Sequence, residues 1–151
     1  RLNHVKPHGA LYNMAANDSA LARAIGQAVR DFDPTLVLFG LAGSELTRAG
    51  AELGLTVGSE IFADRTYQAD GSLTPRSQPN AIIRDVEASI EQVRRMVGEG
   101  RVRSLQGTDV TVKADTLCIH GDEPTAVEFA RRLRQTLEAD GIRVAPVAQP
   151  D

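Results

Sequence analysis

Short apolar runs rich in β-branched residues alternate with longer stretches of helical spacing along almost the whole chain. This alternation constrains the fold more than any other feature. Each short run makes one strand, and the helical stretch after it covers that strand. Repeated strand–helix units give parallel strands with helices on their faces, an α/β fold. The strand candidates are residues 2–5, 36–39, 56–60, 102–105, 110–112, 116–120 and 142–147, with 116–120 the strongest buried one. Between them, Leu21, Ile25, Ala28, Val29 and Phe32 share one helical face, and Asn17 or Asp18 supplies its cap. Ser44 caps a short helix through Leu53, with Gly54 just beyond its end. Asp85 caps a helix presenting Val86, Ile90, Val93 and Val97. Asp122 caps another, with Pro124 in its first turn, that buries Val127, Ala130, Leu133 and Leu137. A (β/α) barrel and an open doubly wound sheet both fit, and in both the chemistry gathers at the C-terminal ends of the strands.

Charge and cysteine content narrow the function class. The 151 residues fit one domain, 1–151, with its own core. A formal charge of −3 with interspersed signs offers neither the basic stripe of a nucleic-acid binder nor a polybasic membrane anchor. No apolar stretch approaches a membrane span, and no signal peptide is visible at the start. Cys118 is the single cysteine, so no disulfide forms within the chain, which fits a reducing, cytoplasmic setting. Its place in an apolar run suits packing better than nucleophilic chemistry.

The polar residues directly after the apolar runs are the candidates for chemistry. Lys6, His8 and Tyr12 follow the first run, Ser44 the second, Glu60, Asp64 and Arg65 the third, and His120 and Asp122 the run at 116–120. On a parallel sheet these converge on one rim. In Lys6-Pro7-His8-Gly9 the proline stiffens the turn and the glycine lets a ligand approach the backbone. The lysine and histidine there suit anion binding and proton transfer, a reading favoured over an ordinary turn with a solvated lysine because two ionisable groups are presented together. His4 alternates out of phase with them and reads as structural. Residues 40–44, Gly-Leu-Ala-Gly-Ser, look like a small anion cradle but match neither nucleotide-binding glycine signature. Arg65 suits a two-pronged clamp on a carboxylate, with Glu60 or Asp64 as general base or as its ion-pair partner. Arg76 is a second anion contact or a solvated charge. His120 is an acid–base or metal-ligand candidate, and Asp122 also caps a helix. His8, His120 and one carboxylate would make a three-ligand site, but the spacing matches no standard metal motif, so no metal ligand is assigned. The long polar segment 62–80 contains Gly71, Pro75 and Pro79, and loops of that length in a compact domain are usually functional or disordered.

Three motifs carry a resemblance to a known family. They are Val5-Lys6-Pro7-His8-Gly9-Ala10-Leu11-Tyr12-Asn13; then Glu60-Ile61-Phe62-Ala63-Asp64-Arg65-Thr66-Tyr67 with Asp70-Gly71-Ser72-Leu73 and Arg76; then Cys118-Ile119-His120-Gly121-Asp122. Residues 40–44 fit as well, and all lie in the family's order. The chain resembles the LamB/YcsF family. That resemblance implies a distorted (β/α) barrel of the glycoside hydrolase/deacetylase type, incomplete here because the family's N-terminal strands are missing. An incomplete barrel leaves an open edge or apolar face, which would favour a homo-oligomer. Asn80 stands where the family usually has glycine, and asparagine tolerates the same positive φ.

The resemblance also implies a function. It is that of the A component of an ATP-dependent 5-oxoprolinase, a cyclic amide hydrolase that opens 5-oxo-L-proline to L-glutamate alongside B and C subunits, using ATP with Mg²⁺. Lys6, His8, Asp64, His120 and Asp122 would be catalytic, and Tyr12, Glu60, Arg65 and Arg76 would bind substrate. Two alternatives stand beside it: a metal-dependent amide or ester hydrolase of the deacetylase kind, and a non-catalytic subunit that recognises a small carboxylate.

Overall fold

The computed structural model describes residues 2–121 and 126–147. The chain forms two compact units. The first comprises residues 1–61, 113–116 and 147–151, and the second residues 62–112 and 117–146.

The first unit is built on parallel strands. β1 (His4–Val5) pairs with β2 (Val37–Leu41), and β2 pairs with β3 (Val57–Phe62), both parallel. The register sets Leu41 opposite Glu60, so Glu60 stands level with the C-terminal end of β2. Beside β3, the Asp115 N–H donates to the Ser59 carbonyl at 2.9 Å. Three helices pack in this unit: α1 (Gly9–Asn17), α2 (Ser19–Phe32) and α3 (Glu45–Glu52). Local chemistry sets their ends. The Asp18 carboxylate accepts from the Ala20 and Leu21 N–H groups, and Ser44 Oγ accepts from Thr47 N–H. Gly54 follows the C-cap Leu53 at φ +78°, as a helix stop of this type requires. The core joins Ala15, Ala22, Val29, Leu36, Leu38 and Leu46.

The second unit holds α4 (Val86–Glu99), β4 (Arg101–Arg103), β5 (Asp109–Thr111), β6 (Thr116–Cys118, whose Thr116 lies in the first unit) and α5 (Ala126–Ala139). Asp85 caps α4 through Ala88 N–H, and Ile90, Val93 and Met96 form its buried face. β4 and β5 make an antiparallel hairpin against α4, while α5 buries Leu133 and Leu137 and packs on α4 as well. Arg94 reaches Asp140 with two hydrogen bonds, of 2.6 and 3.0 Å.

Several sequence expectations change. α1 was not foreseen, although Tyr12, Ala15 and Ala16 bury one helical face. Phe32 ends α2 at 73% exposure, and Val127 on α5 is 63% exposed. Residues 116–120 give a three-residue, half-buried strand, and β2 is the fully buried one. Residues 142–147 form no strand: Pro146 has no N–H to give a ladder, and the Val147 carbonyl instead accepts from the Asn3 side chain. The cap assigned to Asp122 lies outside the described residues. The positive φ foreseen for Asn80 is present, at +63°.

Candidate functional site

Of the residues expected on one rim, Lys6, Tyr12 and Glu60 meet within the first unit, and Asp64 and His120 meet within the second. In the first unit, Lys6 follows β1 and Glu60 lies near the end of β3. Lys6 Nζ donates to Glu60 Oε1 at 2.7 Å, and Tyr12 Oη donates to Glu60 Oε2 at 2.8 Å. The ammonium also lies 5.5 Å from the centre of the Tyr12 ring. Glu60 is 3% exposed, so its charge is tolerated only because both oxygens are paired. Parallel β1, β2 and β3 deliver the lysine and glutamate, and α1 delivers the tyrosine. His8 precedes α1 as its N-cap, is exposed, and makes no side-chain capping bond. His4 stacks on Phe39 with ring centroids 4.4 Å apart.

The second cluster centres on Asp64 and His120. His120 Nδ1 lies 2.7 Å from Asp64 Oδ2, and the Phe62 ring stacks on the imidazole at 5.8 Å. Asp64 Oδ1 is buried and has no hydrogen-bond partner among the described residues. A carboxylate beside Nδ1 favours the tautomer with its proton there, leaving Nε2 for proton exchange. The backbone carrying Asp64 is held on several sides. Ala63 N–H donates to the Cys118 carbonyl at 3.1 Å, Ile83 N–H to the Asp64 carbonyl at 2.9 Å, and Phe62 N–H to Tyr67 Oη at 2.8 Å. The Gln92 amide donates to the carbonyls of Phe62 and Arg65 at 3.2 and 3.0 Å.

Arg65 holds the polar segment itself. It is 5% exposed, and its guanidinium donates to the Ala81 carbonyl at 3.2 Å and to the Thr74 carbonyl at 2.6 Å. Burial, and then the nearby charge of Arg76, lowers its pKa from the ordinary arginine value, while Asp64 pulls the other way. This geometry favours a loop-holding role for Arg65 over a substrate clamp. Thr66 and Gln68 add hydrogen bonds to Thr74 Oγ1, both of 2.8 Å, so residues 62–80 form an ordered, cross-braced segment.

A cavity of about 120 Å³ opens in the second unit against this pair. Asp64, His120, Arg76, Arg84 and Ser89 supply its polar wall, and Ile82, Val86 and Phe129 the apolar one. It is far below the roughly 300–1,000 Å³ of pockets for drug-sized ligands, which suits a small molecule. Among the described residues no three His, Cys, Asp or Glu side chains are grouped to hold a metal ion. Asp122 lies outside the described residues.

The LamB/YcsF family model matches residues 1–151. The chain belongs to the LamB/YcsF family. Among curated relatives, it is 63% identical over 143 residues to the A component of 5-oxoprolinase from Geobacillus kaustophilus, covering 95% of this chain and 56% of that protein. It is 62% identical over 144 residues to the A component of 5-oxoprolinase from Bordetella pertussis, covering 95% of this chain and 57% of the relative. Among solved structures, a lactam utilization protein from Thermus thermophilus matches with a TM-score of 0.86 at 46% identity, over 97% of this chain and 58% of that one. The chain thus spans a little over half the length of these relatives. No helix among the described residues is long and apolar enough to cross a membrane.

Within this LamB/YcsF chain, sequence reading missed Arg84 and Ser89. Both flank Asp85, whose capping role is the only local signal there. Residues 40–44, read as an anion cradle or as a tight turn with a serine cap, form a turn closed by the Ser44 N–H to the Leu41 carbonyl at 3.0 Å. Ser44 is buried with its hydroxyl committed to Thr47 N–H, and a side chain at Gly40 would meet Leu46 and Thr47 atoms at 3.1–3.3 Å. Gly40 serves close packing of α3 on β2.

Proposed function

We propose that this chain forms part of the A component of an ATP-dependent 5-oxoprolinase, which opens the lactam of 5-oxo-L-proline to L-glutamate together with B and C subunits. The Asp64/His120 pair at the wall of a small cavity carries the reading. The names of the relatives, two of them 5-oxoprolinase A components and one a lactam utilization protein, support the substrate class. The reading brings with it the (β/α) barrel of the glycoside hydrolase/deacetylase type for the whole protein, and the cytoplasm as the compartment that supplies ATP.

Opening a lactam needs a base for water and a proton for the departing nitrogen. His120 is suited to both. Nε2 takes a proton from water as the new C–O bond forms at the lactam carbon. The same proton then passes to the ring nitrogen as the C–N bond breaks. Asp64 Oδ2 fixes the ring and offsets the positive charge that develops on it, and the unpaired Oδ1 leaves the carboxylate's charge largely undissipated. An unactivated amide is a poor electrophile, so the reading keeps ATP with Mg²⁺ as an activating group. No residue of this chain is assigned to hold it, and no step here passes through it.

The test is 5-oxo-L-proline turnover by the assembled three-subunit complex carrying His120→Gln. The expected result is a loss of at least about a hundredfold with an unchanged melting temperature. Normal turnover by the variant would remove His120 from the chemistry.

A further inference from the structure

Two contacts of the His120 imidazole come from one short stretch of chain. Asp64 Oδ2 lies 2.7 Å from Nδ1, and the Phe62 ring stacks on the imidazole with centroids 5.8 Å apart. Whatever fixes residues 62–64 therefore helps fix the ring. This stretch leaves the end of β3 and bends at residues 63 and 64. A bend turns carbonyls away from a strand ladder, so they need partners from neighbouring elements. Gln92 serves two of them. Its Nε2 donates to the Phe62 carbonyl at 3.2 Å and to the Arg65 carbonyl at 3.0 Å. Those carbonyls bracket Ala63 and Asp64, so one amide holds the bend from both ends. Both partners are acceptors only, and the –NH2 end with its two protons is the end that can serve them.

The Gln92 side chain is half-buried and stands on α4, a 14-residue helix capped by Asp85 and ended by Gly100 at φ +66°. Ile90, Val93 and Met96 bury one face of that helix. The amide therefore reaches the bend from a rigid element, which is what precise placement needs. Building on the reading of His120 as the base given above, we propose that Gln92 is a positioning residue for the Asp64/His120 pair. Its amide keeps Asp64 and Phe62 where they set the tautomer and the plane of the imidazole, and it acts on the chemistry only through that ring. Methionine has nearly the same length and no N–H, so Gln92→Met frees both carbonyls. The bend then relaxes, Asp64 Oδ2 moves away from Nδ1, and the ring shares its proton with Nε2. An Nε2 that already carries the proton has no lone pair to take one from water.

Two measurements test this. Nitrogen NMR of the complete protein, at a pH where the ring is neutral, reads the tautomer of His120, whose signals are identified by their loss in His120→Gln. Turnover of 5-oxo-L-proline by the assembled complex reads kcat and KM separately. The unsubstituted protein should hold the proton on Nδ1. Gln92→Met should move a measurable share of it to Nε2 and lower kcat about tenfold or more with little change in KM. Gln92→Asn keeps an amide that is one methylene short, should move both readouts the same way, and decides the matter if Gln92→Met does not fold. Gln106→Met is the structural control: Gln106 accepts from Ala69 N–H at 3.0 Å and donates to Gln68 Oε1, past the bend. It should lower the melting temperature and leave tautomer and kcat unchanged. The proposal is overturned if the unsubstituted ring lacks the Nδ1 proton, if a folded Gln92 variant keeps the tautomer, or if Gln106→Met shifts it equally. It is also overturned if the tautomer shifts without a fall in kcat while His120→Gln abolishes turnover. If His120→Gln turns over normally while Gln92 still governs the tautomer, the positioning role stands and the hydrolytic reading falls.

Discussion

The hydroxyl oxygen of Tyr67 accepts a hydrogen bond from the backbone N–H of Phe62 at 2.8 Å, from a fully buried ring. The bond closes a short loop around Asp64 and fixes where β3 ends. Tyr67→Phe leaves a buried N–H without this acceptor, at a cost of roughly 1–3 kcal/mol. Chemical denaturation should show that loss, and turnover by the complex should fall with it because the Asp64 carboxylate loses its support.

Lys6 is partly buried and Glu60 fully so, and removing the lysine leaves the buried Glu60 with only the Tyr12 hydroxyl bonded to it among the interactions described above. Lys6→Met should destabilise the protein by roughly 3–5 kcal/mol. Lys6→Met/Glu60→Leu should recover much of that stability, because neither charge remains buried. A double variant as unstable as the sum of the single ones would contradict a mainly structural pairing.

Arg65→Lys should lower stability first and activity only in step with it. Lysine cannot reach the Ala81 and Thr74 carbonyls with one planar group. The loss is roughly 1.5–3 kcal/mol for a hydrogen bond from a charged donor. Thermal melts run beside turnover separate this from a clamp, which would lose activity at an unchanged melting temperature.

Asn80 sits at φ +63°. Asn80→Gly should leave the melting temperature unchanged or slightly raised, and Asn80→Val should cost about 1–2 kcal/mol. Equal melting temperatures for the two variants would show that the turn relaxes out of the left-handed region.

These residues also show how much the letters could reveal. The caps at Asp18, Ser44 and Asp85 were legible because each acts within three residues of itself. Parallel pairing of β1, β2 and β3 followed from the alternation of runs. α1 was hidden because Pro7 and Gly9 read as a turn and only packing reveals the face of Tyr12, Ala15 and Ala16. The expected strand at 142–147 failed because strand pairing is non-local and a β-branched run does not name its partner. At the site, motif order brought Asp64 and His120 into view. It could not show that Arg65 spends its donors on backbone carbonyls, or that Arg84 shares a wall with a histidine far along the chain.

The central claim is that Asp64 and His120 act as one unit. Turnover of 5-oxo-L-proline by the assembled complex, measured for Asp64→Ala, His120→Ala and the double variant, tests it most directly. Residues that act as a unit are strongly non-additive. The double variant should therefore be no slower than the worse single one, with all melting temperatures close to the unsubstituted value. Losses that multiply in the double variant would show two independent roles and contradict the account.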